Sequence, residues 1–466
     1  MTGIDRRHFL RKSAAASGLI LAPSLTGLIA CSADRALEPS SAAVPPLKRA
    51  RKGEGGYGEL IPSKQLGGII AIPKGFHAAI VSTSGEEMIG GAVPNAFDGM
   101  AAFAGGRNLV RLVRNHELRD TPDAGTRPFG GDAYDEKGPA GNTTLEVRVY
   151  PSGKAELVKQ FASLTGTFVN CAGGSTPWRT WISSEETTAG AETGFDRPHG
   201  YNFEVQVDTD GISRPVPLRA MGRFEHEAVA VDPESGFVYQ TEDRSPSGFY
   251  RFKPKTYGRL KEGGQLQILT VEGKPQYNTM TGQRPFTPMK VKWVTIPEPD
   301  SREKELPSGF VFNQGLERGA AQFARLEGCW YGDRSVFFNA TSGGDAGAGQ
   351  VWQYHIGRRE LQLVFESPST DVLNSPDNIC VSPRGGLVIC EDGSGVQHVR
   401  GLTRTGEIFD IARNDLNSSE WAGACFSPQG RTLFVNIQGE TRPLGNPAGA
   451  KGMTIAIWGP WEAGVL

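Results

Sequence analysis

The stretch "GRFEHEAVAVDPESGFVYQTEDR", residues 222–244, holds two short apolar runs separated by a Pro-Gly turn. Glu227 stands at the head of the first run, and Asp243 stands just past the end of the second. Apolar runs of this length, rich in Val, Phe and Tyr and bounded by turn residues, read as paired β-strands. The turn recurs: "VDPESGFVY" (231–239), "VSPRGGLVI" (381–389) and "FSPQGRTLF" (426–434) share an apolar residue, Pro and Gly ahead of a β-rich strand. A fold built from repeats of this unit follows if the flanking pattern also recurs.

It does. Apolar strands run into a polar oxygen in "NLVRLVRNHE" at Glu117, "RTWISSEE" at Glu185 and Glu186, "GFVYQTED" at Asp243, "SVFFNA" at Asn339, "GLVICEDG" at Asp392 and "TLFVNIQG" at Asn436. Upstream of each lies a polar start followed by a strand: Asp98 in "FDGMAAF", Cys171 in "NCAGG", Glu227, Glu327 in "RLEGCW", Asp377 in "SPDNICV" and Gly423 in "WAGACF". The strand exits at 117, 186, 243, 339, 392 and 438 are spaced by 69, 57, 96, 53 and 46 residues. Units of about 40 to 50 residues made of short strands are propeller blades, so the expectation is an all-β, six-bladed β-propeller with insertions in the longer intervals. The 61 Gly and 31 Pro in 466 residues suit many strands joined by turns.

In a propeller the inner strands line a central channel, and equivalent loops converge at one mouth. The repeated acids would then form a ring of carboxylates, which needs cations to neutralise it. Oxygen donors suit calcium, whereas a thiolate such as Cys171 beside carboxylates suits a transition metal. The competing reading has the acids capping strands and pairing with Arg114, Arg223, Arg244 and Arg325. His116 and His226 each precede a glutamate, so on a strand they face away from it and are expected to be packed. His199 in "RPHGY" is expected to orient a loop. Cys171 reads as part of a polar Gly-rich loop, and Cys329, Cys380, Cys390 and Cys425 read as buried thiols or a bridge.

The formal net charge of -2 excludes a basic nucleic-acid binder. No Gly-x-Ser-x-Gly elbow, P-loop or zinc-type His pair supports a serine hydrolase or a kinase. The N-terminus "DRRHFLRKSAAASGLILAPSLTGLIACSAD" carries Arg6 and Arg7 ahead of an uncharged run and resembles a twin-arginine export signal over residues 1–31. "LIAC", residues 28–31, also resembles a lipoprotein cleavage box that would leave a lipid anchor at Cys31; small-residue cleavage sites share the pattern, and both outcomes stand. Residues 32–58 read as a flexible linker, and 59–466 as the propeller domain.

The motifs "NHE", "NCAGGSTPWRTWISSEE", "RPHGYNFEV", "GRFEHEAVAVDPESGFVYQTEDR", "RLEG", "SPDNICVSP", "CEDG", "GACFSPQGRTLFVNIQ" and "IAIWGPW" occur in order. Together they resemble the PhoX family of exported bacterial alkaline phosphatases over about residues 60 to 461. The resemblance implies a six-bladed propeller with an oxo-bridged iron pair and calcium ions, hydrolysing phosphate esters in the periplasm or at the cell surface. It implies Cys171 as the thiolate ligand to iron and Glu186, Glu227 and Glu327 as carboxylate ligands, with Glu117, Glu185, Asp243, Asp377 and Asp392 as further oxygen candidates not divided between iron and calcium. Arg325, two residues before Glu327 on an extended strand, shares its face and would hold a phosphoryl oxygen; the alternative is a salt bridge to Glu327. Cys171, Glu186 and Arg325 are the residues expected to carry catalysis. Two positions depart from the family pattern: Arg179 follows "TPW", where it would add charge to the substrate mouth, and Phe97 precedes "DGM". The second functional reading is a non-catalytic, calcium-stabilised propeller that binds a ligand or partner at the same mouth.

Overall fold

In a computed structural model of the protein, residues 56–301, 307–403, 406–442 and 449–466 are described. The twin-arginine segment, Cys31 and the linker up to residue 55 lie outside them. Tyr57, read as linker, already belongs to the fold: its ring packs edge-on against Phe76 and Trp461, and its hydroxyl donates to the Trp461 carbonyl at 3.1 Å. No helix among the described residues is long and apolar enough to cross a membrane.

The regular secondary structure of the described residues is nearly all strand, with short 3-10 turns and one α-helix, Phe310–Leu316. Antiparallel pairing builds six stacks in chain order, each opening on a strand that lines the centre: Phe97–Gly106, Asn170–Ser175, His226–Val231, Leu326–Gly332, Pro376–Val381 and Trp421–Phe426. These six inner strands neighbour one another cyclically, the sixth lying against the first. The fold is that of a β-propeller.

The stacks are unequal. The third and fourth form a continuous nine-stranded sheet, because Met289–Thr295 pairs with Glu360–Glu366 at their outer edges. The fifth gains Ile70–Pro73 and Leu60–Pro62 outside its own strands. The sixth is completed by a strand from the far end of the chain: His77–Thr83 pairs with Met453–Trp458. The repeated turns behave alike, with Gly385 and Gly430 donating back to the Ser382 and Ser427 carbonyls at 2.8 and 2.7 Å.

One local feature recurs in all six stacks. Where the inner strand meets its partner, the register slips by one residue: Phe97 pairs with His116 but Met100 with Arg114, and the same slip falls between Asn170 and Gly173, His226 and Val229, Leu326 and Cys329, Pro376 and Ile379, and Ala422 and Cys425. These are β-bulges, which kink a strand and re-aim a side chain. The first bulged residue is Asp98, Cys171, Glu227, Glu327, Asp377 or Gly423, the six strand starts of the sequence pattern. Beyond each bulge the returning strand is tied back by an N–H from its exit, as in Glu117 to the Ala96 carbonyl (2.9 Å), Glu186 to Val169 (2.8 Å) and Asp392 to Ser375 (3.0 Å).

In the fourth stack the residue so tied is Thr341, donating to Arg325 at 2.8 Å, and not Asn339. Asn339 and Asn436 lie within the second strands, where their amides hold the backbone carbonyls of Asp377 and Asp98 in the neighbouring bulge. Asn115 does the same for Cys171 and Ala172. The asparagines therefore pin the bulges.

The second bulged residues, Gly99, Ala172, Ala228, Gly328, Asn378 and Ala424, are mostly small because the inner strands converge there. A Cβ on Gly99 would sit 2.5 Å from the Ala172 Cα, and one on Gly328 would sit 2.5 Å from the Asp377 carbonyl oxygen. Deeper in the channel, Trp330 borders both this constriction and a pocket at the far end, and packs against four of the hydrophobic clusters. All five described cysteines are buried and free. Gly99→Ala should destabilise the fold by about 1–3 kcal/mol, because the added methyl must push two inner strands apart; a denaturant midpoint equal to the wild type's would show that the strands have room to part.

Candidate active site at the channel mouth

Because the bulges aim their first residues into the mouth and the exits arrive beside them, donors from different stacks meet. Four groups of three have ligand atoms within 4.8 Å of one another: Asp98, Glu117 and Cys171; Cys171, Glu186 and Glu227; Glu227, Glu327 and Asp377; and Asp377, Asp392 and Glu420. Successive groups share Cys171, Glu227 and Asp377. The donors thus form one continuous array.

Burial makes this array expensive as bare charge. Glu227 is fully buried, and neither of its carboxylate oxygens has a hydrogen-bond partner among the described residues; the same holds for Asp98 Oδ1. Burial pushes the carboxyls of Asp98, Glu186, Glu227, Glu327 and Asp377 well above the usual range, and neighbouring carboxylates add to it. Glu117 is driven by burial up to about 8 even though Arg119 pulls the other way. The Cys171 thiol is raised by burial and by the surrounding acids. Buried carboxylates without hydrogen-bond partners, and a thiol held among acids, are groups that a bound cation satisfies and holds deprotonated.

Of the residues singled out in the sequence, Glu117, Cys171, Glu186, Glu227, Glu327, Asp377 and Asp392 come together here. Glu185 does not. It turns away from Glu186 and is fully engaged: Oε1 accepts from the Phe168 N–H (3.0 Å) and lies 2.7 Å from His199 Nδ1, while Oε2 accepts from the Gly200 and Tyr201 N–H groups at 2.8 and 3.1 Å. Asp243 sits at the rim, in a bidentate pair with the Arg325 guanidinium at 2.9 and 2.8 Å. Arg325 also reaches Glu327 Oε1 at 2.9 Å, so the salt-bridge alternative is realised. Their proximity does not come from a shared strand face, as expected from the sequence: Arg325 is not extended but left-handed (φ 51°), one residue ahead of the strand. Ala96, Val169 and Ser375, which precede three of the other inner strands, are also left-handed (φ 56°, 52° and 52°). A non-glycine residue held there costs about 1–2 kcal/mol, so this strain is gathered at the mouth.

The arginine-pairing alternative fails elsewhere. Arg114 is buried, donates to the hydroxyls of Ser82, Thr143 and Thr454, and lies 3.5 Å from the centre of the Phe97 ring. Phe97 thereby has a packing role beneath Asp98. Arg223 donates to the carbonyls of His199, Thr188 and Ala189, and Arg244 to Ser308 Oγ. Arg179 lies in the turn after the second inner strand, at the end remote from the array, and is paired with Asp208. It adds no charge to the mouth. Cys171 is in a strand and not a loop; the glycines that follow it leave room for Ile182 and Val229. His116 and His226 are packed and hydrogen-bonded as expected.

Sequence reading did not assign Asp98, Glu420, Arg119 or Gln438 to the site. Asp98 carried a signal, its place among the strand starts. Glu420 precedes its strand and carried none. Arg119 pairs with Glu117 and, at 2.6 Å, with Glu186. The Gln438 amide bridges Asp98 (2.9 Å) and Glu117 (2.6 Å).

His199, beside the array, links Glu185 to Asp135, whose Oδ2 is 3.7 Å from Nε2. Burial lowers its affinity for a proton, but the two carboxylates outweigh this and raise its pKa from 6.5 to about 9. A folded pKa above the unfolded one contributes stability that is present in full below pH 6.5 and is lost as pH rises to about 9. That interval corresponds to about 3 kcal/mol. Wild type should therefore exceed His199→Gln in stability by most at pH 6 and by progressively less towards pH 9; urea melts with a constant gap across this range would show that His199 is not charged in the fold.

The family model described as "Alkaline phosphatase PhoX" matches residues 55–440. Among solved structures, PhoX of Pseudomonas fluorescens in complex with vanadate, described as a transition state analogue, is similar at a TM-score of 0.63 and 19% identity, covering 87% of this chain and 98% of that one. A gluconolactonase of Xanthomonas campestris gives a TM-score of 0.43 at 11% identity, over 87% of this chain and 98% of its own. None of the curated proteins matches. With the family model spanning the ring from ahead of its first strand to the exit of the sixth stack, the chain belongs to the PhoX family of alkaline phosphatases and is a phosphoric ester hydrolase.

Proposed function

We propose that the protein is an exported phosphatase that hydrolyses phosphate esters at an array of iron and calcium ions held at the channel mouth. The observation that carries this reading is Glu227, buried at the shared vertex of two donor groups with both oxygens unpartnered among the described residues. The donor chemistry divides the array. The two groups that contain the Cys171 thiolate suit iron, and the two all-oxygen groups, Glu227 with Glu327 and Asp377 and Asp377 with Asp392 and Glu420, suit calcium. Bound ions supply Lewis-acid stabilisation of the charge that develops on the phosphoryl oxygens.

The chain's own residues do the rest. Glu186, Glu227 and Cys171 fix the ions at one end of the array, and Glu327 and Asp377 fix those next to them. Arg325, with 43% of its side chain exposed at the rim, holds a phosphoryl oxygen through the guanidinium edge that Asp243 and Glu327 leave open. Vanadate, bound by the Pseudomonas protein, mimics a phosphoryl group of that kind. Arg6 and Arg7 direct export by the twin-arginine route to the periplasm or cell surface, which carries a protein already folded around its ions.

Mass-spectrometric metal analysis of protein purified from its exported form should find iron and calcium together; calcium alone in active protein would remove iron from the mechanism. Cys171→Ser should lose iron and aryl phosphate turnover while keeping the β-sheet circular dichroism, since a serine hydroxyl stays protonated and is a poor ligand for ferric iron. Full activity without iron in that variant would overturn the iron-thiolate assignment. Removal of calcium should lower the melting temperature, because ions that bind only the native array stabilise it by mass action; an unchanged melting temperature would leave calcium without a structural role.

A further inference from the structure

Two arginines stand at the mouth, each paired with two carboxylates. Arg325 joins Asp243 and Glu327, and Arg119 joins Glu117 and Glu186. Glu186 and Asp243 are themselves neighbours, and Asp243 helps to raise the Glu186 carboxyl, so the two guanidiniums are joined through one acidic pair. Both side chains remain nearly half exposed, 48% for Arg119 and 43% for Arg325. The structural arginines Arg114 and Arg223 are buried.

The donors are not used up. Arg119 makes both of its ion pairs through Nη2, and among the described residues Nε and Nη1 donate to no protein acceptor. Its position is fixed by the backbone, whose N–H donates to the Thr441 carbonyl at 2.9 Å. Charge balance gives the free edge a purpose. Glu117 and Glu186 belong to the two donor groups that share Cys171. Once those carboxylates are committed to cations, the guanidinium between them has an uncompensated charge at an open mouth, and a doubly charged phosphoryl group restores the balance.

We propose that Arg119 is a second phosphoryl anchor, gripping the oxyanion across the Glu186–Asp243 pair from Arg325. This rests on the phosphatase reading above. A second planar guanidinium fixes the rotation of the phosphoryl group as well as its place, which a single anchor leaves free. The anchor also binds the product, so inorganic phosphate reports on it without turnover.

The test uses the metal-loaded protein, with inorganic phosphate titrated calorimetrically into wild type, Arg119→Gln, Arg119→Lys and Arg325→Gln, and with iron and calcium measured in each. Arg119→Gln should keep its metals, bind phosphate about 10- to 100-fold more weakly and lower kcat/KM for an aryl phosphate. Arg119→Lys should recover only part of the affinity, since an ammonium offers no fork. Unchanged phosphate affinity in Arg119→Gln beside a weakened Arg325→Gln would overturn the second anchor and leave the phosphatase reading intact. Loss of iron or calcium from Arg119→Gln would also overturn it, by making the residue a counter-ion of the array. A wild type that binds no phosphate and turns over no ester would remove the phosphatase reading and this one together.

Discussion

The structure at the mouth depends on one unfavourable fact: acids and a thiol from all around a ring are packed together, most of them buried. Bare carboxylates in such a place repel one another and lose their hydration, and the protein supplies little in return. Gln438 offers one amide, and Arg119 and Arg325 offer charge only at the rim. The centre, at Glu227, has only the Cys171 thiol beside it to set against its acidic neighbours. A site of this kind calls for cations, so on the reading proposed here the same residues serve folding and chemistry.

The bulges explain how a repetitive scaffold produces an irregular site. Each stack delivers one residue to the mouth by the same backbone device, and the identity of that residue is free to vary: aspartate, cysteine, glutamate, glutamate, aspartate, glycine. The glycine is the informative exception. Gly423 is left-handed (φ 61°), and any side chain there would meet the Asp98 carbonyl and the Asn436 amide. The sixth stack therefore contributes through residues on either side of its bulge, Glu420 and Gln438, which are displaced outward from the ring of first residues.

Much of this was legible in the chain. The recurring turns and the polar residue at the head of each apolar run located all six inner strands, because a bulge needs no special composition and leaves the apolar pattern intact on either side. What misled was local context. Asn339 and Asn436 look like oxygen ligands at strand ends, but an amide can donate, and here it is used to donate to a neighbouring backbone. "CAGG" reads as a loop because glycine is the commonest loop residue, whereas these glycines allow two strands to touch. Glu185 and Glu186 are indistinguishable in sequence, and the pleat of one strand sends them to opposite sides, one to the array and one to His199. Arg119 escaped notice since its partners, Glu117 and Glu186, lie 2 and 67 residues away.

The strand His77–Thr83 that completes the sixth stack has a consequence for the order in which the molecule is made. Asp98 and Glu117 leave the ribosome early, yet the amide that bridges them belongs to Gln438, 340 residues after Asp98, and the strand that seals their neighbour pairs with Met453–Trp458. The first donors synthesised are among the last to be fixed. Until residues 438 and 453–458 have been made, the ring cannot close around Asp98 and Glu117. The corner of the array at Asp98 and Glu117 is thus tied by topology to a late part of the chain, although its own residues come early.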